Sequence, residues 1–445
     1  MIADILAEAM VTGPWDPFRM TERCVAALTV DWPDIQELTK RILVEFGTFA
    51  RPPKRRVTAF ITQQEVFRNA FRNLFALKGK SNKTNHLEVF LSPRIDREPV
   101  MWPASGFPGD SRILAITDLQ SLARTLQLSQ DALIWLADVL NRERKTQQGR
   151  YRHYEYRWVK KRNGHSRLIE VPQRNLRFAQ RALLDKVISQ IPVHDAAHAF
   201  RPGRSIKTFA LPHCSQQIVL KLDLKDFFPT ITSSRVTALF RTVGYPEDVA
   251  RLMSGLSTNS TPTRPLKHEA GLTHETYRLY RQPHLPQGAP TSPALANLVA
   301  FHLDRRLTAL AKHWDANYTR YADDLTFSGG PRLKSVIKKF VIWAMTIALE
   351  EGFVTNGHKT RVMRASIRQK VAGTVVNAHP NITRTDFDAL KATLHNSVKL
   401  GPGSQNRDDH PNFRAHLLGK ISHVHMLNPA RAQKLQTIFE QIVWS

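Results

Sequence analysis

Three aspartates are the residues of this chain most able to do chemistry. Asp323 and Asp324 are adjacent in "YTRYADDLTFSGG" (318–330), between aromatic and β-branched residues that read as strands. Like charges at contact repel, and burying them without partners is costly. Either the pair faces water or a cation sits on it. A third carboxylate, Asp223, lies about a hundred residues earlier in "LKLDLKDFF" (220–228), inside a run that reads as a buried strand. If that strand lies beside the "YADD" hairpin, the three carboxylates converge. Such a cluster binds hard divalent cations, and two Mg²⁺ ions are the usual result when phosphates are the substrate. One metal then activates a 3′-hydroxyl, and the other clamps a triphosphate and its leaving pyrophosphate. The plain alternative is an acidic turn and an unrelated strand-end residue.

Other stretches have types that fit the same chemistry. In "HLPQGAPTSPALANLVAFHLDRRLTALA" (284–311), Gln287-Gly288-Ala289-Pro290 is a tight small-residue loop that lets backbone approach a nucleotide or template. Ser292 is an N-cap candidate and Pro293 a first-turn residue, with Leu295, Leu298, Val299, Leu303 and Leu307 on the core face of the helix that follows. "VKKRNGHSR" (159–167) gathers Lys160, Lys161 and Arg167 around an Asn163-Gly164 turn, as a hairpin folding over a triphosphate would; a solvated charge run is the rival reading. Lys359, in "EGFVTNGHKTRVM", follows a turn and is a candidate proton donor to pyrophosphate. His198, His213, His302, His423 and His425 have no metal-ligand spacing.

The elements that position these residues follow from periodicity. "TDLQSLARTLQLSQDALIWLADVL" has helical spacing with Thr117 or Asp118 as cap, and "NLRFAQRALLDKVISQI" is a second amphipathic helix. Residues 256–284 are polar and read as a long irregular loop or insertion. After "VAGTVVN" (371–377) the pattern is helical, with Asn428-Pro429 as cap and first residue of the last helix. Residues 1–112 form a separate, mostly helical region ending in the Pro- and Gly-rich "REPVMWPASGFPGDSR", which reads as a linker. The expected domains are 1–112, 113–377 and 378–445.

Bulk properties narrow the class. The chain has 445 residues, 42% of them hydrophobic, which is ample for more than one core. No run of 18 apolar residues offers a membrane span, and the start lacks the pattern of a signal peptide. Two cysteines, Cys24 and Cys214, are too few for a disulfide framework or zinc cluster, so a reducing, cytoplasmic setting is expected. Lys and Arg number 64 against 38 Asp and Glu, a formal charge of +26. That surplus favours a polyanionic partner. It is spread over "RPPKRR", "KKRNGHSR", "KSVIKKF" and "HKTRVMR" rather than massed in a tail, which favours nucleic acid over a membrane surface.

In this order, the motifs resemble those of bacterial reverse transcriptases of the retron type. "YTRYADDLTFSG" is similar to that group's catalytic hairpin, "LPQGAPTSPALANL" to its template- and nucleotide-contacting loop, and "LKLDLKDFFPTI" to its first catalytic strand. "AHAFRPGRSI" (197–206) and "GFVTNGHKTR" (352–361) also fit, and the resemblance covers about residues 115–430. It implies an α+β right-hand polymerase of fingers, palm and helical thumb, carrying a mostly helical N-terminal extension.

The resemblance also implies roles. Asp223, Asp323 and Asp324, with the backbone carbonyl of Leu224, would hold two Mg²⁺ ions, Mn²⁺ being a substitute. Phe228 would exclude a 2′-hydroxyl, with Asp226, Phe227 and Gln287 also at the nucleotide and Lys160, Lys161 and Arg167 on its triphosphate. Arg201, Arg204, His213 and Asn377 would touch RNA. Enzymes of this type copy a structured noncoding RNA, starting from an internal guanosine 2′-hydroxyl, into branched RNA-linked DNA (msDNA) in antiphage systems with a separate effector protein. Two family signatures depart: "VAGTVVN" has Ala372 where threonine is usual, and "FALPH" (209–213) has Phe209 where asparagine is usual. The competing readings are another bacterial reverse transcriptase (group II intron, diversity-generating or CRISPR-associated), a non-catalytic RNA-binding protein, and a palm-type nucleotide cyclase. Only about 70 residues follow "VAGTVVN", room for a thumb but not for a maturase or RNase H domain.

Overall fold

The computed structural model describes residues 2–69, 113–139, 142–143, 152–160 and 166–444, less short stretches at 12–14, 29–31, 33, 48–51, 268 and 270–271. The Asn163-Gly164 turn, Lys161 and the 97–112 linker therefore lie outside the described residues. The chain divides into two compact units, each made of two stretches: Met1–Pro192 with Ile231–Ser292, and Val193–Thr230 with Pro293–Ser445.

In the first unit, helices Ile2–Val11, Pro17–Leu28, Ile35–Phe46 and Lys54–Gln63 share their own core, with Leu6, Met10, Met20, Leu38, Ile42 and Ile61 almost wholly buried. The apolar spacing of Ile35, Leu38 and Ile42 sets the inner face of the third helix, and Gly47, at φ +76°, ends it by donating to the Leu43 carbonyl. The next periodic run forms two helices, Leu119–Leu126 and Gln130–Ala137, broken where Gln127 turns left-handed at φ +58°. Asp118 caps the first: its carboxylate accepts from the Ser121 N–H (2.7 Å), and Ser121 Oγ accepts in return from the Asp118 N–H.

Strands β1 (Tyr154–Lys160) and β2 (Ser166–Pro172) form the expected hairpin, in a register running from Lys160↔Ser166 to Tyr154↔Pro172. Residues 256–284 correct the sequence reading. They include helices Thr263–Lys267 and His274–Arg281, and Asn259, Thr261 and His284 are fully or almost fully buried. Their polarity signalled solvent because side chains that satisfy one another inside look the same in sequence as side chains that face water.

The second unit is built on a four-stranded antiparallel sheet of order β4-β5-β3-β6, from β3 (Ile218–Asp223), β4 (Ala316–Tyr321), β5 (Asp324–Gly329) and β6 (Arg361–Arg364). β3 is central, and Ile218, Val219, Leu220 and Leu222 are buried, as its β-branched and leucine run predicts. Helix Pro331–Glu350 buries Leu333, Phe340 and Ala344, and Phe340 meets Phe327 of β5 edge-on at 5.1 Å. The stretch after "PTS" is two helices, Ser292–Val299 and Phe301–His313, rather than one. Ser292 is not the expected cap: the helix begins on it, and its buried Oγ has no hydrogen-bond partner. A small pair, β7 (Lys370–Val371) and β8 (Thr374–Val375), precedes three helices, Arg384–Leu400, Phe413–Leu427 and Pro429–Phe439, whose core is Leu394, Leu417, Ile421, Val424 and Leu435. Asn428 caps the last, accepting from the Arg431 N–H (3.1 Å) with Pro429 at the first position. Among the described residues, no helix is long and apolar enough to cross a membrane.

Candidate active site

Pairing of β3 with β5 sets Asp223 opposite Asp324. One residue on, the Leu224 N–H donates to the Asp323 carbonyl (2.9 Å). Directly paired residues project to the same side of a sheet, so Asp223 and Asp324 share one face at one strand end. The segment leading into β6 closes the other flank, with the Asn356 N–H donating to the Asp223 carbonyl (2.7 Å) and the Lys225 N–H to the Val354 carbonyl (2.7 Å).

Two ammonium groups lie on these carboxylates. Lys359 Nζ donates to both oxygens of Asp223 (3.1 and 3.0 Å), and Lys221 Nζ lies 2.9 Å from Asp324. Lys221 is two residues before Asp223 and so on its face of the strand, where it reaches diagonally across to β5. Burial, then repulsion from Asp324 and Asp223, pushes the Asp323 carboxyl up. Asp324 is raised by burial, which the ammonium of Lys221 offsets only in part. Among the described residues, no three His, Cys, Asp or Glu side chains are gathered to hold a metal ion as they stand. The donor set nonetheless fits hard divalent cations: the carboxylates are oxygen ligands on neighbouring residues, and their repulsion is the kind that added positive charge relieves.

What fixes the turn between β4 and β5 is buried beneath it. Tyr321 pairs with Asp324, so Ala322 and Asp323 form a two-residue turn with Ala322 at φ +56°. That region costs an alanine roughly 1–2 kcal/mol. Arg320 compensates by donating from Nη1 to the Ala322 carbonyl (3.1 Å). Its Nε and Nη2 reach the two Asp304 oxygens (2.8 and 2.7 Å), and Nη1 also reaches Asn297 Oδ1 (3.0 Å). Asn297 in turn donates to the Ala199 carbonyl (2.8 Å), and Tyr318 donates to Asp304 (2.8 Å). Arg320 and Asp304 are fully buried; burial alone lowers the guanidinium, but the charge and hydrogen bonds of Asp304 outweigh it and raise it.

The neighbouring aromatics divide. Phe228 is half-buried, with Phe200 at 6.4 Å. Phe227, expected at the nucleotide, is instead core: it is 3% exposed, 5.5 Å from Phe353 and under the Arg320 guanidinium at 5.8 Å. Asp226 is half-buried at φ +47°, and its carbonyl accepts from the Thr230 N–H (3.0 Å). Leu224 is buried at the strand end.

His213 is a second correction. It is fully buried in the same unit and bridges β4 and β5. Thr319 Oγ1 donates to the Phe209 carbonyl (3.1 Å), so it accepts from His213 Nε2–H (2.7 Å), and Nδ1 accepts from Ser328 (2.7 Å). Burial, then the charge of nearby His198, pulls the ring down to about 3. A neutral, enclosed, doubly bonded imidazole has nothing left for RNA. Asn377 is exposed but already bonded: Oδ1 accepts from Gln369 N–H (2.9 Å) and Nδ2 donates to Ile367 (2.9 Å). Arg201 and Arg204 lie 3.4 and 3.6 Å from the exposed Asp195.

In the first unit, Lys160 and Arg167 are exposed on adjoining strands of the hairpin. Gln287 is half-buried, and its carbonyl accepts from the Glu170 N–H (2.7 Å). Sequence reasoning missed Lys221, Asn297, Asp304 and Arg320. Alternation gives no signal for Arg320, because Tyr318, Thr319 and Arg320 are all buried in β4.

Comparison with known proteins gives consistent matches. The family described as reverse transcriptase (RNA-dependent DNA polymerase) matches residues 159–394. The chain is 43% identical to the retron Mx65 reverse transcriptase of Myxococcus xanthus over 287 residues, 64% of each chain. It is 34% identical to the retron Mx162 reverse transcriptase of the same organism over 424 residues, 91% of this chain and 84% of that one. To the retron Ec86 reverse transcriptase of Escherichia coli it is 32% identical over 249 residues, 55% of this chain and 69% of that one. The 9% of 445 residues outside the Mx162 match is about 40, so the match takes in most of the first 112 residues, which the sequence reading left outside the resemblance.

Proposed function

The chain belongs to the retron-type reverse transcriptases, RNA-directed DNA polymerases, and from that premise we propose that it copies a cognate structured noncoding RNA into branched, RNA-linked single-stranded DNA, in antiphage defence alongside a separate effector. The observation that carries the catalytic part is the β3–β5 register, which sets Asp223 opposite Asp324 and ties Leu224 to Asp323. Asp223, Asp323, Asp324 and the Leu224 carbonyl would hold two Mg²⁺ ions, with Mn²⁺ as substitute. Bound there, the cations supply activation of the attacking hydroxyl and neutralisation of the triphosphate.

The chain's own side chains do the rest. Lys359, whose ammonium lies on Asp223, holds a proton beside the reacting phosphates and gives it to the leaving pyrophosphate. Phe228 presents the ring that rejects a 2′-hydroxyl, backed by Phe227, which the core fixes. Lys160, Lys161 and Arg167 bind the dNTP triphosphate, and Gln287 contacts the nucleotide. Arg201 and Arg204, in a surface loop with Phe200 about half exposed, meet RNA. In the right-hand scheme, residues 113–377 are fingers and palm and 378–445 the thumb. The four N-terminal helices, with their own core, add a module whose basic "RPPKRR" stretch (51–56) would meet RNA or the effector.

The test is to express the chain with its flanking genomic DNA and extract nucleic acid. A short single-stranded DNA whose mobility shifts on treatment with RNase and debranching enzyme is expected. Activity only on an annealed primer–template, without such a species, would overturn the retron product while leaving the polymerase.

A further inference from the structure

Glu170 of β2 holds the Gln287 loop at two points. Its N–H donates to the Gln287 carbonyl, and its own carbonyl lies 2.8 Å from where a Cβ on Gly288 would stand, at φ +127°. The loop therefore lies directly on the strand, and only glycine permits that approach. The Glu170 side chain is fully buried and reaches back to His284, Oε2 to Nε2, at 2.9 Å. Oε1 accepts from Asn259 Nδ2 and Thr261 Oγ1, each at 2.8 Å.

His284 Nδ1 faces the Gln282 carbonyl at 2.8 Å, and a carbonyl only accepts. Both ring nitrogens thus face oxygens that can accept, an arrangement that suits an imidazolium paired with a carboxylate. Burial opposes that charge, and Glu170 outweighs it and raises the ring's pKa. The other groups packed on the ring and its partner are uncharged Tyr280, at 5.3 Å, and Asn259, which also donates to Tyr156. Behind Tyr156 stands Glu143, which accepts from the Tyr156 hydroxyl (3.0 Å) and is raised to about 7 by burial. The His284 backbone is held as well: it exchanges bonds with Asn259 (3.0 and 2.9 Å), and the Leu285 N–H donates to Ile231 (2.9 Å). Only Pro286, with its fixed φ, separates these pins from Gln287.

A buried ion pair adds little stability over well-packed apolar residues of the same volume. What it adds here is place. We propose that Glu170 and His284 are a positioning pair that sets where Gln287 stands for the incoming deoxynucleotide. This rests on the reading of Gln287 as a nucleotide contact.

The test is steady-state incorporation of dNTP on an annealed RNA template and DNA primer by the full chain. Glu170→Gln is expected to raise KM for dNTP about 10-fold, with kcat and KM for primer–template within about 2-fold. Gly288→Ala breaks the second attachment by pressing on the Glu170 backbone while keeping the Glu170 and His284 side chains, and is expected to give the same pattern, so it carries the test if the buried substitution fails to fold. Adding His284→Gln to Glu170→Gln restores an uncharged hydrogen-bonded pair and recovers most of the KM. A lower melting temperature with unchanged KM for dNTP in both single variants would overturn the proposal. Gln287→Ala, run in parallel, separates the two readings: if it leaves KM unchanged, the nucleotide contact fails. Amide exchange at 284–288 in Glu170→Gln then decides the clamp, faster exchange supporting it and unchanged exchange overturning it.

Discussion

The second unit contains two clusters of charge separated by one turn of chain, and they are opposites. At the sheet end, three aspartates meet two lysines, so like charges stand together and the carboxyls of Asp323 and Asp324 are pushed up. Beneath the turn, Arg320 and Asp304 are fully buried, balanced, and bonded to Asn297, Tyr318 and the Ala322 carbonyl. The closed cluster is complete without anything added. The open one is not, and its incompleteness makes it a place for cations and phosphates. The closed cluster finds every partner inside the protein, whereas Asp323 and Asp324 stay in mutual repulsion that the nearby lysines offset only in part.

The largest expected effect breaks the open cluster. Asp323→Asn with Asp324→Asn removes DNA synthesis altogether, while RNA binding persists and the melting temperature holds or rises because the repulsion is gone. Gel-resolved extension and a melt measure both; a variant that still extends primers would return these residues to a plain acidic turn. Next is the closed cluster. Arg320→Met leaves Asp304 buried and unpaired and costs about 3–5 kcal/mol in urea unfolding, and the double variant with Asp304→Leu recovers much of it. If Arg320→Met unfolded at the wild-type urea concentration, the network would be decoration.

Smaller effects sharpen the boundary between the two. Phe228→Val, on the open side, is expected to relax discrimination against ribonucleotides by about 1–3 kcal/mol with little change in stability. Phe227→Ala, on the closed side, should do the reverse, costing about 3–5 kcal/mol of stability. Competition between dNTP and rNTP, read beside unfolding curves, separates them. The smallest effect is on pH. His284 is raised in the folded chain, so its contribution is present in full below the ordinary histidine value of about 6.5 and is lost as pH rises through the raised value. The melting temperature should fall over that range in the wild type and fall less in the Glu170→Gln, His284→Gln double variant, in which Glu143 still titrates.

Much of the open cluster was legible in sequence because its charges break local rules. Asp223 interrupts an apolar strand and Asp323-Asp324 interrupts an aromatic one, so both stand out. The closed networks were not legible, since Arg320, Glu170 and His284 differ from surface residues only in tertiary partners. The same blindness turned 256–284 into a loop and gave His213 to RNA. Helix ends were readable where a cap followed from one side chain, as at Asp118 and Asn428, and failed at Ser292. Phe227 and Phe228 are identical in type and adjacent, so no sequence pattern decides which faces inward.

The order of strands has a consequence for synthesis. Central β3 leaves the ribosome roughly a hundred residues before β5, and β6 follows later still. At ~5–20 residues per second, an Ile-Val-Leu-Lys-Leu segment waits ~5–20 s with both edges unpaired. Lys221 within that segment and Asp223 at its end place charge on it, the kind of gatekeeping that limits aggregation of a nascent chain.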